Sequence, residues 1–101
     1  MRFIFHPEAL SEYEQATIYY SKISKQLAVS FIDCIEMGIK KILEYPGGWQ
    51  TIEEDVRRLL IKRFPFGIYY TIESDHVLIV AVMHMSREPE YWIERLHKSN
   101  G

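Results

Sequence analysis

The stretch RRLLIKRFPFGIYY, residues 57–70, decides the fold of this sequence. Apolar residues alternate imperfectly before Pro65 and regularly after it, and proline cannot join the middle of a strand ladder. We therefore expect a strand over residues 56–64, a tight corner, a second strand over 66–73 and a turn at Ser74-Asp75. A third strand, residues 76–84, is apolar on both faces, which is typical of a covered central strand or of one that contributes to a binding surface. Together these residues predict a β-meander.

Upstream of the meander the apolar period becomes helical. Residues 1–5 predict an opening strand, Pro7 suits the first turn of a helix, and Ser24 suits the N-cap of a second, longer helix. The short connection at residues 22–24 implies an antiparallel hairpin. Pro89 predicts the start of a short last helix. The predicted stripe of the first helix consists of Ala9, Tyr13, Ala16, Tyr20 and Ile23.

The predicted order is β-α-α-β-β-β-α, an α+β fold with the helical hairpin packed on one face of a small, mainly antiparallel sheet. Its 101 residues suit a single domain, 1–101. The net charge of −2 does not argue for nucleic-acid or membrane binding. The single cysteine, Cys34, fits a reducing cytoplasm, and the longest apolar run, residues 77–83, is too short to span a bilayer. The histidines His6, His76 and His97 have no metal-site spacing, so we expect no cofactor or metal.

A basic stretch follows the acidic residues 53–55 and is the first candidate for target binding. Its cations could also be the solvated side of a strand or partners for those acids. Tyr69 and Tyr70 point to opposite faces, so we expect one in the core and the other free to stack on a base or to contact a protein. The predicted target-binding residues are Arg57, Arg58, Lys62, Arg63 and Tyr69.

Two residues near the end of the third strand, His84 and Arg87, could take part in catalysis. His84 could serve as an acid or a base, or as a hydrogen-bonded structural histidine. Arg87 could contact a phosphate, or form an ion pair with the glutamates that follow it.

Several motifs now stand in a recognisable order. They are Pro7-Glu8-Ala9-Leu10, Tyr19-Tyr20, the second-helix apolar series, RRLL at 57–60, FPFGIYY at 64–70, AVMH at 81–84, Arg87, Pro89 and Tyr91-Trp92. In this order they resemble the RelE/ParE superfamily, the toxins of bacterial type II toxin–antitoxin modules. The resemblance implies the same fold and a cognate antitoxin encoded alongside.

The superfamily has two activities. The RelE branch cleaves mRNA on the ribosome, and the ParE branch inhibits DNA gyrase without hydrolytic chemistry of its own. The resemblance implies that a nuclease would use Arg58, His84, Arg87 and Tyr91. However, the arginine that this branch carries after the aromatic opening the second meander strand is replaced by Gly67, and Ile93 lies near the usual C-terminal tyrosine.

The incomplete set favours a ParE-like growth inhibitor of the plasmid-stabilisation type that acts on DNA gyrase. The alternatives are a RelE-like ribosome-dependent mRNA endoribonuclease and a degenerate, weakly toxic family member. The expected partners are the antitoxin and either gyrase or the ribosome with its mRNA. A homodimer and a toxin–antitoxin hetero-oligomer both remain open.

Overall fold

The computed structural model describes residues 1–86 and 95–96. Strand β1 (Arg2–Phe5) precedes two helices, α1 (Pro7–Ile23) and α2 (Lys25–Glu44). A single 3₁₀ turn, Pro46–Gly48, leads into four further strands. These are β2 (Thr51–Glu53), β3 (Val56–Leu60), β4 (Phe66–Ile72) and β5 (His76–His84).

The five strands form one sheet in the order β1-β5-β4-β3-β2. Strand β1 pairs with β5 in parallel, and the other neighbours are antiparallel. The predicted α+β class and mainly antiparallel sheet are therefore confirmed. For the third meander strand the sequence left two alternatives open, a covered central strand and a strand that contributes to a binding surface. The structure shows a covered central strand, because β5 lies between β1 and β4 and is buried from Ile79 to Met83.

Local signals set the helix ends. Pro7 occupies the first turn of α1, where an amide donor is not needed, and the imidazole Nδ1 of His6 accepts the amide of Glu8 at 3.1 Å. Ser24 ends α1 and caps α2, since its Oγ accepts the amide of Leu27 at 3.0 Å. The antiparallel hairpin thus turns at the predicted residue.

Two apolar clusters lie on opposite faces of the sheet. On the helix-covered face, α1 and α2 pack over Leu59, Ile68, Tyr70, Ile79 and Val82. On the far face a smaller cluster holds Val56, Tyr69, Val80, Ala81 and Met83, with Leu78 and Leu96 packed against it. The two clusters share the strands, so alternate residues of β3 and β4 serve different faces.

The structure corrects three expectations. A short strand, β2, precedes the predicted meander and pairs with β3 across a turn at Glu54, where φ is 51°. Strand β3 ends at Leu60, earlier than the predicted residue 64. Ile23 is 60% exposed because it lies at the last turn of α1, beyond the apolar cover of α2. The predicted last helix falls mostly outside the described residues, of which Arg95 and Leu96 are helical.

Candidate functional site

The two adjacent arginines of the basic stretch, Arg57 and Arg58, lie on opposite faces of the sheet. Arg57 lies opposite Tyr70 on the helix-covered face, and its Nη1 donates to the carbonyl of Trp49 at 2.5 Å. The hydroxyl of Tyr70 donates to the carbonyl of Pro46, also at 2.5 Å. Burial raises the pKa of Tyr70, and the nearby Arg57 partly opposes that rise. Both residues thus hold the segment between α2 and β2 against the sheet.

Arg58 lies opposite Tyr69 on the far face. Its guanidinium carbon is 6.0 Å from the centre of the Tyr69 ring, within the range of a cation–π contact. Both tyrosines of the pair are buried, with Tyr69 at 3% and Tyr70 at 0% exposure, so the expectation that only one belongs to the core is wrong. The reason is the second apolar cluster on the far face, which the sequence did not reveal.

Gly67 lies beneath this arginine–tyrosine contact. A Cβ at Gly67 would stand 3.1 Å from Cε1 of Tyr69 and 3.3 Å from both Cγ and Cδ of Arg58. These distances are tighter than ordinary van der Waals contact, so a longer side chain there would need its neighbours to move. Gly67 occupies the position at which the nuclease branch carries arginine. The aliphatic part of the Arg58 side chain therefore fills the space that a side chain at Gly67 would need.

His84 lies on the other side of the sheet from Arg58. It stands opposite Phe66 on the helix-covered face, with the two ring centres 5.2 Å apart. Its Nδ1 accepts the backbone amide of Ser86 at 3.1 Å and lies 2.8 Å from the Ser86 hydroxyl. Since Nδ1 accepts that amide, a neutral His84 carries its proton on Nε2.

The predicted nuclease set is therefore not assembled among the described residues. Arg58 and His84 are separated by the sheet itself, and a general acid or base must reach the same phosphate group as the cation that stabilises it. The other two members, Arg87 and Tyr91, lie outside the described residues.

Lys62 and Arg63 are exposed at the corner between β3 and β4. They border a groove of about 380 Å³ between α2 and the β3 edge, which we call the α2–β3 groove. Thus the structure brings Lys62 and Arg63 together, places Arg58 with Tyr69, and holds Arg57 apart from both pairs.

An ion pair between the buried Arg95 and the partly buried Glu12 was missed by sequence reasoning. The guanidinium of Arg95 donates to both carboxylate oxygens of Glu12, at 2.9 and 2.8 Å, and to the carbonyl of Val80 at 3.1 Å. Glu12 also accepts the amide of Val82 at 3.0 Å. These contacts satisfy polar groups of β5 beyond the end of β1. No local pattern could have indicated the pair, because its members are 83 residues apart.

Two classes of site are absent from the described part of the chain. Residues 1–86 and 95–96 contain no group of three or more side chains that could hold a metal ion. No helix among these residues is long and apolar enough to cross a membrane.

Comparison with known proteins agrees with this architecture. A solved structure described as the chromosomal ParDE TA system from P. aeruginosa has a TM-score of 0.73 and 18% identity, and the match covers 83% of this chain and 95% of that one. At that identity the likeness concerns the fold. No curated protein matches the chain. The family described as "ParE toxin of type II toxin-antitoxin system, parDE" matches residues 3–89. The chain therefore belongs to the ParE toxin family of type II toxin–antitoxin systems.

Proposed function

We propose that this ParE-type toxin inhibits bacterial growth by binding DNA gyrase in the cytoplasm, and that a cognate antitoxin neutralises it. The observation that carries the choice of a binding mechanism is the separation of Arg58 and His84 by the sheet. Within residues 1–86 and 95–96, the candidate acid or base His84 does not converge with Arg58, which favours inhibition by occupation of a target. The stem of Arg58 over Gly67 supports the same choice.

A supercoiling assay tests the proposal. Purified toxin is titrated into gyrase, relaxed plasmid and ATP, and we expect supercoiling to fall as toxin rises. A parallel translation reaction with a defined transcript should show no new mRNA ends. Unchanged supercoiling at saturating toxin would refute the gyrase target. Transcript cuts that depend on His84 would instead identify the nuclease.

Within this function we propose that Arg58 contacts the target. It is a half-buried cation on the far face and lies over the Tyr69 ring, so its guanidinium is already oriented before binding. We expect Arg58→Ala to weaken gyrase inhibition at least tenfold. Lys25→Ala, which removes an exposed cation at the start of α2, serves as the matched control and should not change inhibition. Equal inhibition by both variants would exclude the far face as the target surface.

Neutralisation by an antitoxin has its own test. The product of the reading frame next to the toxin gene is co-expressed with the toxin in a susceptible host. We expect growth to be restored and the two proteins to purify together. Continued growth arrest despite expression of both proteins would contradict this part, and harmless toxin expression alone would indicate a degenerate family member.

A further inference from the structure

The α2–β3 groove combines an apolar floor with a basic rim. Its floor includes the half-buried ring of Trp49 and the side chain of Leu59, and Met37 borders it with 53% of its surface exposed. Its rim carries the cations Lys41, Lys62 and Arg63, and none of the described residues that line it is acidic. A groove of this composition attracts a ligand that has both apolar side chains and negative charges.

The three rim cations have no carboxylate partner among residues 1–86 and 95–96, where the ion pairs involve other residues. Their charge is therefore not neutralised within the described part of the molecule. Cations around an apolar surface gain more from an incoming carboxylate than cations in open water, because the contact excludes solvent.

The backbone at the β3–β4 corner places Arg63 at the groove. Arg63 has φ of 74°, a left-handed backbone conformation that residues other than glycine rarely adopt. The corner is fixed on its other side by Phe64, which is buried, and by the amide of Phe66, which donates to the carbonyl of Phe64 at 2.8 Å. The backbone at this corner therefore fixes where the Arg63 side chain leaves the chain, at the rim of the groove.

The edge of β3 beside the groove is open. The register of β2 with β3 reaches Val56 and Arg57, and within the described residues no strand runs beside Leu60. The amide of Ile61 donates towards β4, to the carbonyl of Phe66 at 3.1 Å. Because neighbouring residues of an antiparallel strand alternate in direction, the amide and carbonyl of Leu60 point away from β4. They can pair with the main chain of an added segment.

From these features we propose that the α2–β3 groove binds an extended peptide segment with aspartate or glutamate and aliphatic residues, which pairs with the edge of β3 at Leu60. The identity of that peptide as part of the antitoxin rests on the proposed function. Peptide is favoured over nucleic acid because the floor is apolar and the open edge offers main-chain hydrogen bonds, which phosphate and sugar do not match.

Selection from a random library of 12-residue peptides displayed on phage, with the intact toxin as bait, tests the proposal. We expect the recovered peptides to be enriched in acidic and aliphatic residues. Their affinity should fall at least tenfold for the charge-reversed variant Lys41→Glu/Lys62→Glu/Arg63→Glu. The matched control, Lys22→Glu/Lys25→Glu/Lys40→Glu, changes the net charge equally at exposed positions outside the groove and should bind normally.

A second variant tests the groove in case the charge-reversed protein does not fold. Lys62→Ser/Arg63→Gly removes two charges, and glycine adopts a φ of 74° without strain, so this variant should keep the fold and still lose at least threefold in peptide affinity. Binding should also slow hydrogen exchange at the Leu60 amide in the wild-type protein.

Four outcomes of the peptide experiments would overturn the proposal. They are recovery of no peptides, peptides without acidic enrichment, binding that ignores the groove variants, and an unprotected Leu60 amide. A 12-nucleotide oligouridine that binds through the same cations while peptides do not would also overturn it, in favour of nucleic acid. None of these readouts involves gyrase. A toxin that leaves gyrase unaffected can therefore still confirm the groove, and a gyrase inhibitor can still refute it.

Discussion

The two faces of the sheet differ in how they use the same kinds of residue. On the helix-covered face the aromatic rings form a continuous set, in which Phe31 contacts Tyr13, Tyr20, Phe64 and Phe66 at centre distances of 5.1 to 6.1 Å. On the far face the ring of Tyr69 instead meets a cation. Most of the buried apolar residues belong to the cluster on the helix-covered face. We therefore expect that face to contribute more to stability, whereas the far face carries the arginine that we propose for recognition.

The adjacent arginines repeat this difference within one strand. Arg57 donates to backbone carbonyls beside the helices, and Arg58 lies over a ring on the far face. A strand turns neighbouring side chains in opposite directions, so a basic pair in sequence is divided in space.

The largest expected effect is on the helix-covered face. Phe31→Ala removes a fully buried ring and should lower the free energy of unfolding by about 3–5 kcal/mol. The far-face counterpart Met83→Ala should cost about 2 kcal/mol, at the low end for a buried methionine, because it belongs to the smaller cluster. Urea denaturation of both variants measures the difference. Equal losses in the free energy of unfolding would contradict the expectation that the helix-covered face contributes more to stability.

The second largest effect on stability is expected for the ion pair between Glu12 and Arg95. Glu12→Ala leaves the guanidinium of Arg95, 3% exposed, without its main acceptor and should cost about 3 kcal/mol. Glu14→Ala on the exposed side of α1 should cost less than about 0.5 kcal/mol. The double variant Glu12→Leu/Arg95→Leu should recover much of the loss in urea denaturation. A double variant less stable than Glu12→Ala would show that the pair itself is strongly stabilising.

A pH effect should arise on the helix-covered face. Burial, with a smaller contribution from Glu36 and Asp33, raises the pKa of Tyr13 from 10.0 to about 12. The folded protein therefore binds this proton more tightly than the unfolded chain. Its contribution to stability is complete below pH 10 and is lost as the pH rises from 10 to about 12. Denaturation midpoints measured across this range should fall less steeply in Tyr13→Phe than in the wild type. Parallel slopes would contradict the assignment.

The smallest expected effect tests the contact on the far face. Gly67→Ala should destabilise the protein by about 0.5–1 kcal/mol, because its Cβ meets the Arg58 stem and the Tyr69 ring. The same change in an Arg58→Ala background should cost less, since one neighbour has been removed. A double-mutant cycle measures this coupling. Additive effects would show that Arg58 does not limit the space at Gly67.

Much of the fold could be predicted because its signals are local. Pro7 and Ser24 mark helix starts, and the alternation after Pro65 marks β4. Strand β2 could not be predicted, since three residues carry too little pattern and depend on β3 for pairing. The ParE-like interpretation also followed from the sequence, through the order of its motifs and through Gly67.

The candidate site was less predictable. The sequence placed Arg57, Arg58, Lys62, Arg63 and Tyr69 in one target-binding set, and in space they occupy three separate places. Burial of Tyr69 depends on a second cluster that packs from other strands and from Leu96. Such long-range packing leaves no periodic signal near the residue it buries.

The sequence by itself determined the helical hairpin, the meander and the absence of arginine at Gly67, because caps, periodicity and residue identity are properties of short segments. Only the tertiary structure decided that Arg58 covers Gly67 and lies across the sheet from His84, and that Glu12 reaches Arg95. It also decided that three lysine and arginine side chains surround one apolar groove. These relations join residues that are distant in the chain, and they exist only once the strands have paired and the helices have packed on one face.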